Sequence, residues 1–298
     1  MNGIIQLSES ELKKQPDGSV GTEEIIPEPL TLGDKIKIEL AEWGRLLVVF
    51  IPAVFFFSFL LFEQRVIPSE SMVPNLQVGD RVLVNKFAYG YSRFSIPWGV
   101  QKILPLGNGR IFARQPKRGD VVVFMHPHFD RVMIKRLIGL PGDRVEMRDE
   151  ALYLNGEPVP TDFVRQLAYV PDNSNRAVQT REYRETLGDR EVLIHQWGQN
   201  SKHDTTGAYI VPEGHFFFMG DNRDNSTDAR DPSGHCRPVR GVVDRAGCTP
   251  RVSLERASVG FVPFDHIIGK GQTVAWTTKR CRQEAGLACP PKRVWKPL

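Results

Sequence analysis

The most pronounced hydropathy feature of the chain lies between Leu46 and Phe62, which reads LLVVFIPAVFFFSFLLF without a single charge. As a helix rising about 1.5 Å per residue this run spans roughly 26 Å, slightly under the hydrocarbon thickness of a bilayer. Snorkelling by Arg45 and Arg65 closes the gap, Trp43 stands where an interfacial aromatic belongs, and Pro52 is tolerable in a membrane helix. A buried core helix would carry some polar positions. A cleaved secretory signal is the sharper rival, because Ser69 and Ser71 supply a small-x-small pattern downstream. Yet about 45 mostly polar residues precede the run, far more than a usual n-region. The pattern therefore predicts one uncleaved transmembrane helix over 46–62. Lys35, Lys37 and Arg45 flank it on one side and only Arg65 on the other, which places the N-terminus in the cytoplasm and the rest outside.

Residues 1–45 are polar and interrupted by Pro16, Pro27 and Pro29, and read as largely disordered, with a short amphipathic helix from Leu32 to Trp43 leading into the membrane. Beyond the anchor the periodicity becomes that of strands. Gly79-Asp80, Gly119-Asp120 and Gly142-Asp143 each precede a run rich in β-branched residues: Gly permits the turn, Asp accepts backbone hydrogen bonds, and the run extends. Val132–Ile138 is another apolar strand, interrupted by Lys135 and Arg136. Residues 148–208 are more polar, with an Asn155-Gly156 hairpin turn, and read as an inserted smaller β region. Strand character returns at Tyr209–Met219 and Val259–Trp276. Segment 231–258 reads as an extra loop and 281–298 as a basic C-terminal tail. The fold class expected is mostly β: an antiparallel catalytic domain over 63–280, preceded by one N-terminal transmembrane helix.

Composition changes this picture little. The 298 residues are 25% charged and 41% hydrophobic, with a formal net charge of +4. Lys and Arg are interspersed with acids, so the basic stripe of a nucleic-acid binder is missing and no nucleic-acid partner is expected. The four cysteines, at 236, 248, 281 and 289, form no CxxC pair. A zinc site is not expected, and either two disulfides or four free thiols fit the spacing.

GxSxG, HExxH, phosphate-loop and GxGxxG patterns are all missing, and the seven histidines are scattered. Three segments remain. Ile67-Pro-Ser-Glu-Ser-Met-Val-Pro74 holds two serines just past the anchor, and by itself is a membrane-exit linker. Val132-Met-Ile-Lys-Arg-Leu-Ile-Gly139 puts a lysine in an apolar strand. Burial lowers a lysine's pKa, and a neutral amine can take a proton from a serine hydroxyl; a lysine paired with a carboxylate is the plainer reading. Arg136 cannot do this, and alternation sends it to the opposite face. Gly220-Asp-Asn-Arg-Asp-Asn-Ser-Thr-Asp-Ala-Arg230 is too polar for core, and Asp228 with Arg230 would make an ion pair that fixes the loop.

Taken in order after an anchor, PSESM, GDRVLVNKFAYG, KRGDVVVF, IKRLIGLPGD and GDNRDNSTDAR resemble the boxes of bacterial signal peptidase I. The resemblance implies that Ser71 is the nucleophile and Lys135 the general base. Ser69 and the Ser71 amide would bind the oxyanion, Ser226 would hydrogen-bond the lysine amine, and Asp228 and Arg230 would brace the site. Ile67, Met72, Leu76, Met133 and Ile134 would line shallow apolar pockets for small residues of the Ala-x-Ala type. It further implies a monomeric, single-pass enzyme of the bacterial inner membrane. Its partners would be signal-peptide-bearing precursors and membrane lipid, and it would need neither cofactor nor metal. Glu70 departs from the glycine common in that family, and only one anchor is visible. A specialised Ser–Lys processing peptidase, of conjugation or pilin type, and a non-enzymatic membrane-anchored β scaffold fit the same elements.

Overall fold

The computed structural model describes residues 31–96, 109–171, 176–198, 201, 203–231, 259–278 and 293–298. One helix, α1 (Leu32–Leu61), is followed by strands β1 (Phe62–Val66), β2 (Asp80–Asn85), β3 (Val121–Met125), β4 (Val132–Gly139), β5 (Arg144–Arg148), β6 (Ala151–Leu154), β7 (Glu157–Pro158) and β8 (Thr161–Tyr169). Then come β9 (Val178–Leu187), β10 (Arg190–Gln196), β11 (Tyr209–Ile210), β12 (His215–Met219), β13 (Val262–Pro263), β14 (Ile267–Thr277) and β15 (Val294–Pro297). The mostly β, antiparallel class expected from the sequence is the one observed. All four cysteines and nearly all of 231–258 lie outside the described residues, as do 1–30.

The three Gly-Asp turns share one local design. Gly79, Gly119 and Gly142 adopt φ of 87°, 84° and 85°, where a side chain would be strained. The carboxylates of Asp80, Asp120 and Asp143 accept the amides of Gln77, Lys117 and Leu140, each three residues upstream, at 2.8, 3.0 and 2.6 Å. The aspartate thus closes the turn against its own backbone before β2, β3 or β5 begins. Asn155 and Gly156, both at positive φ, make the hairpin between β6 and β7.

The main sheet runs β1-β2-β14-β3-β4-β12-β13, and β15 pairs with β14. It is buried on both faces. Val121 and Val123 enter a cluster with Ile67, Met72, Leu76, Val82, Val84, Ile268 and Val274. Val122 and Phe124 enter another with Leu137, Phe216, Phe218, Val262 and Ile267. Two-sided burial explains why β3 reads as an unbroken VVVF rather than an alternating run. The inserted stretch makes a three-stranded sheet, β10-β9-β8, and part of a four-stranded one, β11-β5-β6-β7. Its apolar side chains meet Ile138, Phe217 and Met219 in a third cluster.

The helix starts at Leu32, where the short amphipathic helix was expected, and runs into the apolar segment without a break. One expectation is corrected: the segment read as a basic tail ends in a strand, in which Val294 and Lys296 pair with Trp276 and Val274. Among the described residues no helix is long and apolar enough to cross a membrane. The side chains of Phe55, Phe57 and Phe59, inside the apolar run, lie outside the described residues. The chain divides into two units after Val54, and the sheets belong wholly to the second.

Gly139, at the end of β4, shows how tightly the third cluster closes. A Cβ there would come within 2.7 Å of Val145 Cγ2 and 2.9 Å of both Phe217 Cβ and Val211 Cγ2. Gly139→Ala is expected to cost about 1–3 kcal/mol through overpacking, read as a lower midpoint in thermal denaturation.

Candidate active site

Ser71 sits in a single 3₁₀ turn, Glu70–Met72, between strand β1 and the turn into β2. Pro68 and Pro74 bracket it, and Met72 and Leu76 pin it by full burial in the core. Ser71 itself is 7% exposed, while Ser69 before it faces solvent. The two hydroxyls lie 3.4 Å apart.

Lys135 lies mid-strand in β4, opposite Val122 of β3, and is 2% exposed. The serine turn packs against this strand. Burial is the main influence on the amine: it brings the pKa from the ordinary 10.5 down to about 8. The Asp228 carboxylate opposes that fall and the Arg230 guanidinium adds to it. Arg136 is next in the strand and its side chain leaves on the opposite face. There it grips Asp221 through two bonds of 2.6 and 2.7 Å and donates to the Gly119 carbonyl at 2.7 Å. Asn75 Nδ2 donates to the same Asp221 at 2.8 Å.

The loop after β12 joins these parts. Gly220 follows Met219, which pairs with Arg136. A Cβ on Gly220 would fall 2.3 Å from Ser226 Oγ and 2.5 Å from the Ser71 carbonyl oxygen, so only glycine lets the serine turn and Ser226 meet here. Ser226 is 7% exposed, and its hydroxyl makes no hydrogen bond among the described residues, the expected one to Lys135 included. Asp228 and Arg230 form a buried bidentate ion pair at 3.0 and 2.9 Å, and Asp228 also accepts the Gly220 amide at 2.9 Å. Burial alone would raise the Asp228 carboxyl. The Arg230 charge and hydrogen bonds, Lys135 and the Gly220 amide outweigh it and hold Asp228 well below the usual carboxylate range. Arg223, buried beside Gly220, donates to the Gly220 carbonyl at 3.1 Å and pairs with Glu185 of β9. The inserted region is thereby tied to the loop.

Of the five side chains expected to line apolar pockets, Ile67, Met72 and Leu76 are at most 2% exposed and belong to the core beneath the serine turn. Met133 and Ile134 are half-buried on β4 and keep surface to offer. Reading the sequence missed Asn75, Asp221, Arg223 and Glu185. The last three are charges whose partners lie 38 to 85 positions away, a distance at which no local pattern signals pairing.

The site combines a buried amine of lowered pKa, a constrained serine turn and a braced polar loop. The family model described as "Signal peptidase, peptidase S26" matches residues 40–276. The chain is 34% identical over 251 residues to a signal peptidase I of Rickettsia bellii, covering 82% of this chain and 75% of the relative. It is 33% identical over 251 residues to a signal peptidase I of Rickettsia massiliae, covering 82% of both. A crystal structure of a signal peptidase I from Enterococcus faecalis is 25% identical, covering 53% of this chain and 97% of that one, with a TM-score of 0.26.

Proposed function

This chain belongs to the signal peptidase family, peptidase S26, and is a serine peptidase; from that premise we propose that it removes signal peptides from exported precursors with Ser71 as nucleophile and Lys135 as base. The observation that carries the proposal is the burial of Lys135 in β4, which supplies an amine that loses its proton near pH 8 beside the serine turn.

The chemistry follows from those two groups. Neutral Lys135 takes the Ser71 proton as Ser71 Oγ attacks the carbonyl carbon of the scissile peptide. The oxyanion accepts hydrogen bonds from the Ser71 amide and the Ser69 hydroxyl, a donor of this kind being worth about 3 kcal/mol. The Lys135 ammonium returns its proton to the leaving amine, the C–N bond breaks, and the acyl-enzyme remains. Water, deprotonated by Lys135, then hydrolyses the ester. The precursor lies extended along the site and adds backbone hydrogen bonds to strand edges, with a small residue of the Ala-x-Ala type before the cut.

Membrane anchoring by α1 belongs to the same proposal. Leu46–Phe62 is uncharged, and Leu46 to Ile51 are each about half exposed or more, on every side of the helix. Apolar side chains exposed all round suit a hydrocarbon surround. The cation excess at Lys35, Lys37 and Arg45 orients the N-terminus to the cytoplasm, with the enzyme as a monomer beside its membrane-held substrates. The divisions of the proposed chain are an N-terminal cytoplasmic segment, the anchor and an extracytoplasmic catalytic domain.

The test is cleavage of an Ala-x-Ala precursor in detergent from pH 6 to pH 10. Since the base must be unprotonated, kcat/KM is expected to rise with pH and reach half its plateau near pH 8. A profile flat across that range would rule out Lys135 as the base.

A further inference from the structure

We infer that Glu70 is a positioning residue for the oxyanion donor, acting with Asn222 and Asn225 through the peptide plane that joins Glu70 to Ser71. The inference rests on the Ser71–Lys135 reading above and goes beyond it in assigning a role to the residue between the two serines.

A trans peptide unit is rigid, and its C=O and N–H point in opposite directions. Whatever holds the Glu70 carbonyl therefore aims the Ser71 amide. Asn222 Nδ2 donates to the Glu70 carbonyl at 3.3 Å, and the Asn222 amide donates to the Ser71 carbonyl at 3.1 Å. One residue thus grips the peptide planes on both sides of the nucleophile. Its side-chain amide is itself steadied by a bond to Tyr169 Oη at 3.0 Å, and Tyr169 comes from the inserted strand β8.

The Glu70 side chain completes the grip. Its carboxylate accepts from Asn225 Nδ2 at 3.1 Å, and the Asn225 amide donates to the Asn222 carbonyl at 3.2 Å, so both asparagines belong to one turn. Three hydrogen bonds therefore run from that turn to residues 70 and 71. The bond also turns the carboxylate into the loop. Left free beside a developing oxyanion, it would repel the charge that the site must stabilise. Glycine at position 70 would avoid the repulsion but surrender the third bond and widen the backbone freedom of the serine turn.

The experiment compares Glu70→Ala, Glu70→Gln and Asn225→Ala in the full chain, each checked by thermal denaturation, with steady-state cleavage of an Ala-x-Ala precursor at pH 9. Glu70→Ala is expected to lower kcat on the order of ten-fold, the cost of a misaimed donor. KM should stay within about two-fold, because ground-state binding is untouched. The pH midpoint should not move, because Lys135 is not altered. Glu70→Gln keeps an acceptor for Asn225 and should restore kcat to within about two-fold of wild type. Asn225→Ala should match Glu70→Ala, and the double variant should be no worse than either. A wild-type kcat in Glu70→Ala, an effect confined to KM, or a glutamine variant as slow as the alanine one would overturn the inference. Ser71→Ala in the same assay separates the two levels. Cleavage retained there removes the dyad reading itself, whereas an inactive Ser71→Ala beside a fully active Glu70→Ala removes only the role of Glu70.

Discussion

Lys135→Met is expected to abolish precursor cleavage and, at neutral pH, to make the protein more stable. Loss of the base should reduce kcat by about a thousand-fold or more, and Ser71→Ala should do the same, since groups that act as a unit fail together. The stability change has the opposite sign. A fall of the lysine pKa from 10.5 to about 8 corresponds to about 3 kcal/mol by which the native state disfavours the ammonium. That penalty is fully present below pH 8, fades as pH rises, and is gone above pH 10.5, where the unfolded chain is also neutral. Methionine has similar length and no charge, so Lys135→Met should raise the unfolding free energy at pH 7 by up to about 3 kcal/mol, and by little at pH 10.5. Denaturant unfolding at the two pH values measures this directly. A variant that is inactive yet more stable would separate catalysis from folding. An active Lys135→Met would remove the amine from the mechanism.

Asp228→Asn is expected to damage both stability and activity. The aspartate neutralises Arg230 in a pair with 0% and 1% side-chain exposure, so its loss leaves a buried guanidinium without a counter-charge, at a cost of about 3–5 kcal/mol. The pair also accepts the Gly220 amide, and Gly220 is where the serine turn and Ser226 meet. Activity should therefore fall by about a hundred-fold or more as that meeting point shifts. Asp228 is the chief influence raising the Lys135 pKa, and Arg230 lowers it. Removing the carboxylate takes away the larger of the two acids that raise the lysine pKa, leaving Asp221 against Arg230 and Arg131, so residual activity should titrate at a lower pH than in wild type. A residual profile centred at the wild-type pH would show that Asp228 acts on folding alone. Wild-type stability in the variant would contradict the buried-pair account.

Several features were legible in the sequence because they depend on neighbours along the chain. The three Gly-Asp turns are closed by bonds spanning three residues. The Asn155-Gly156 hairpin likewise needs only local positive φ. The strands expected around Val121, Val132 and His215 followed from runs of β-branched and aromatic residues with short turns between them. The order of the polar boxes was enough to suggest the family. Boundaries were less legible. The short helix expected from Leu32 to Trp43 and the apolar run after it form one continuous helix, and β15 exists only because β14 offers an edge to pair with.

What the sequence determined by itself was therefore the set of turns and strands, and the presence of a lysine in an apolar run and of serines just past an apolar segment. These are short-range consequences of φ/ψ preference and hydropathy. Only the tertiary structure decided that Lys135 is buried enough to titrate near pH 8, and that the Asp228–Arg230 pair is itself fully buried. It also paired Arg136 with Asp221 across 85 positions, and turned the Glu70 carboxylate towards Asn225. Each of these depends on desolvation and on partners brought together by sheet pairing. A one-dimensional pattern carries neither, because the electrostatic energy of a buried group depends on what surrounds it in space rather than on what precedes it in the chain.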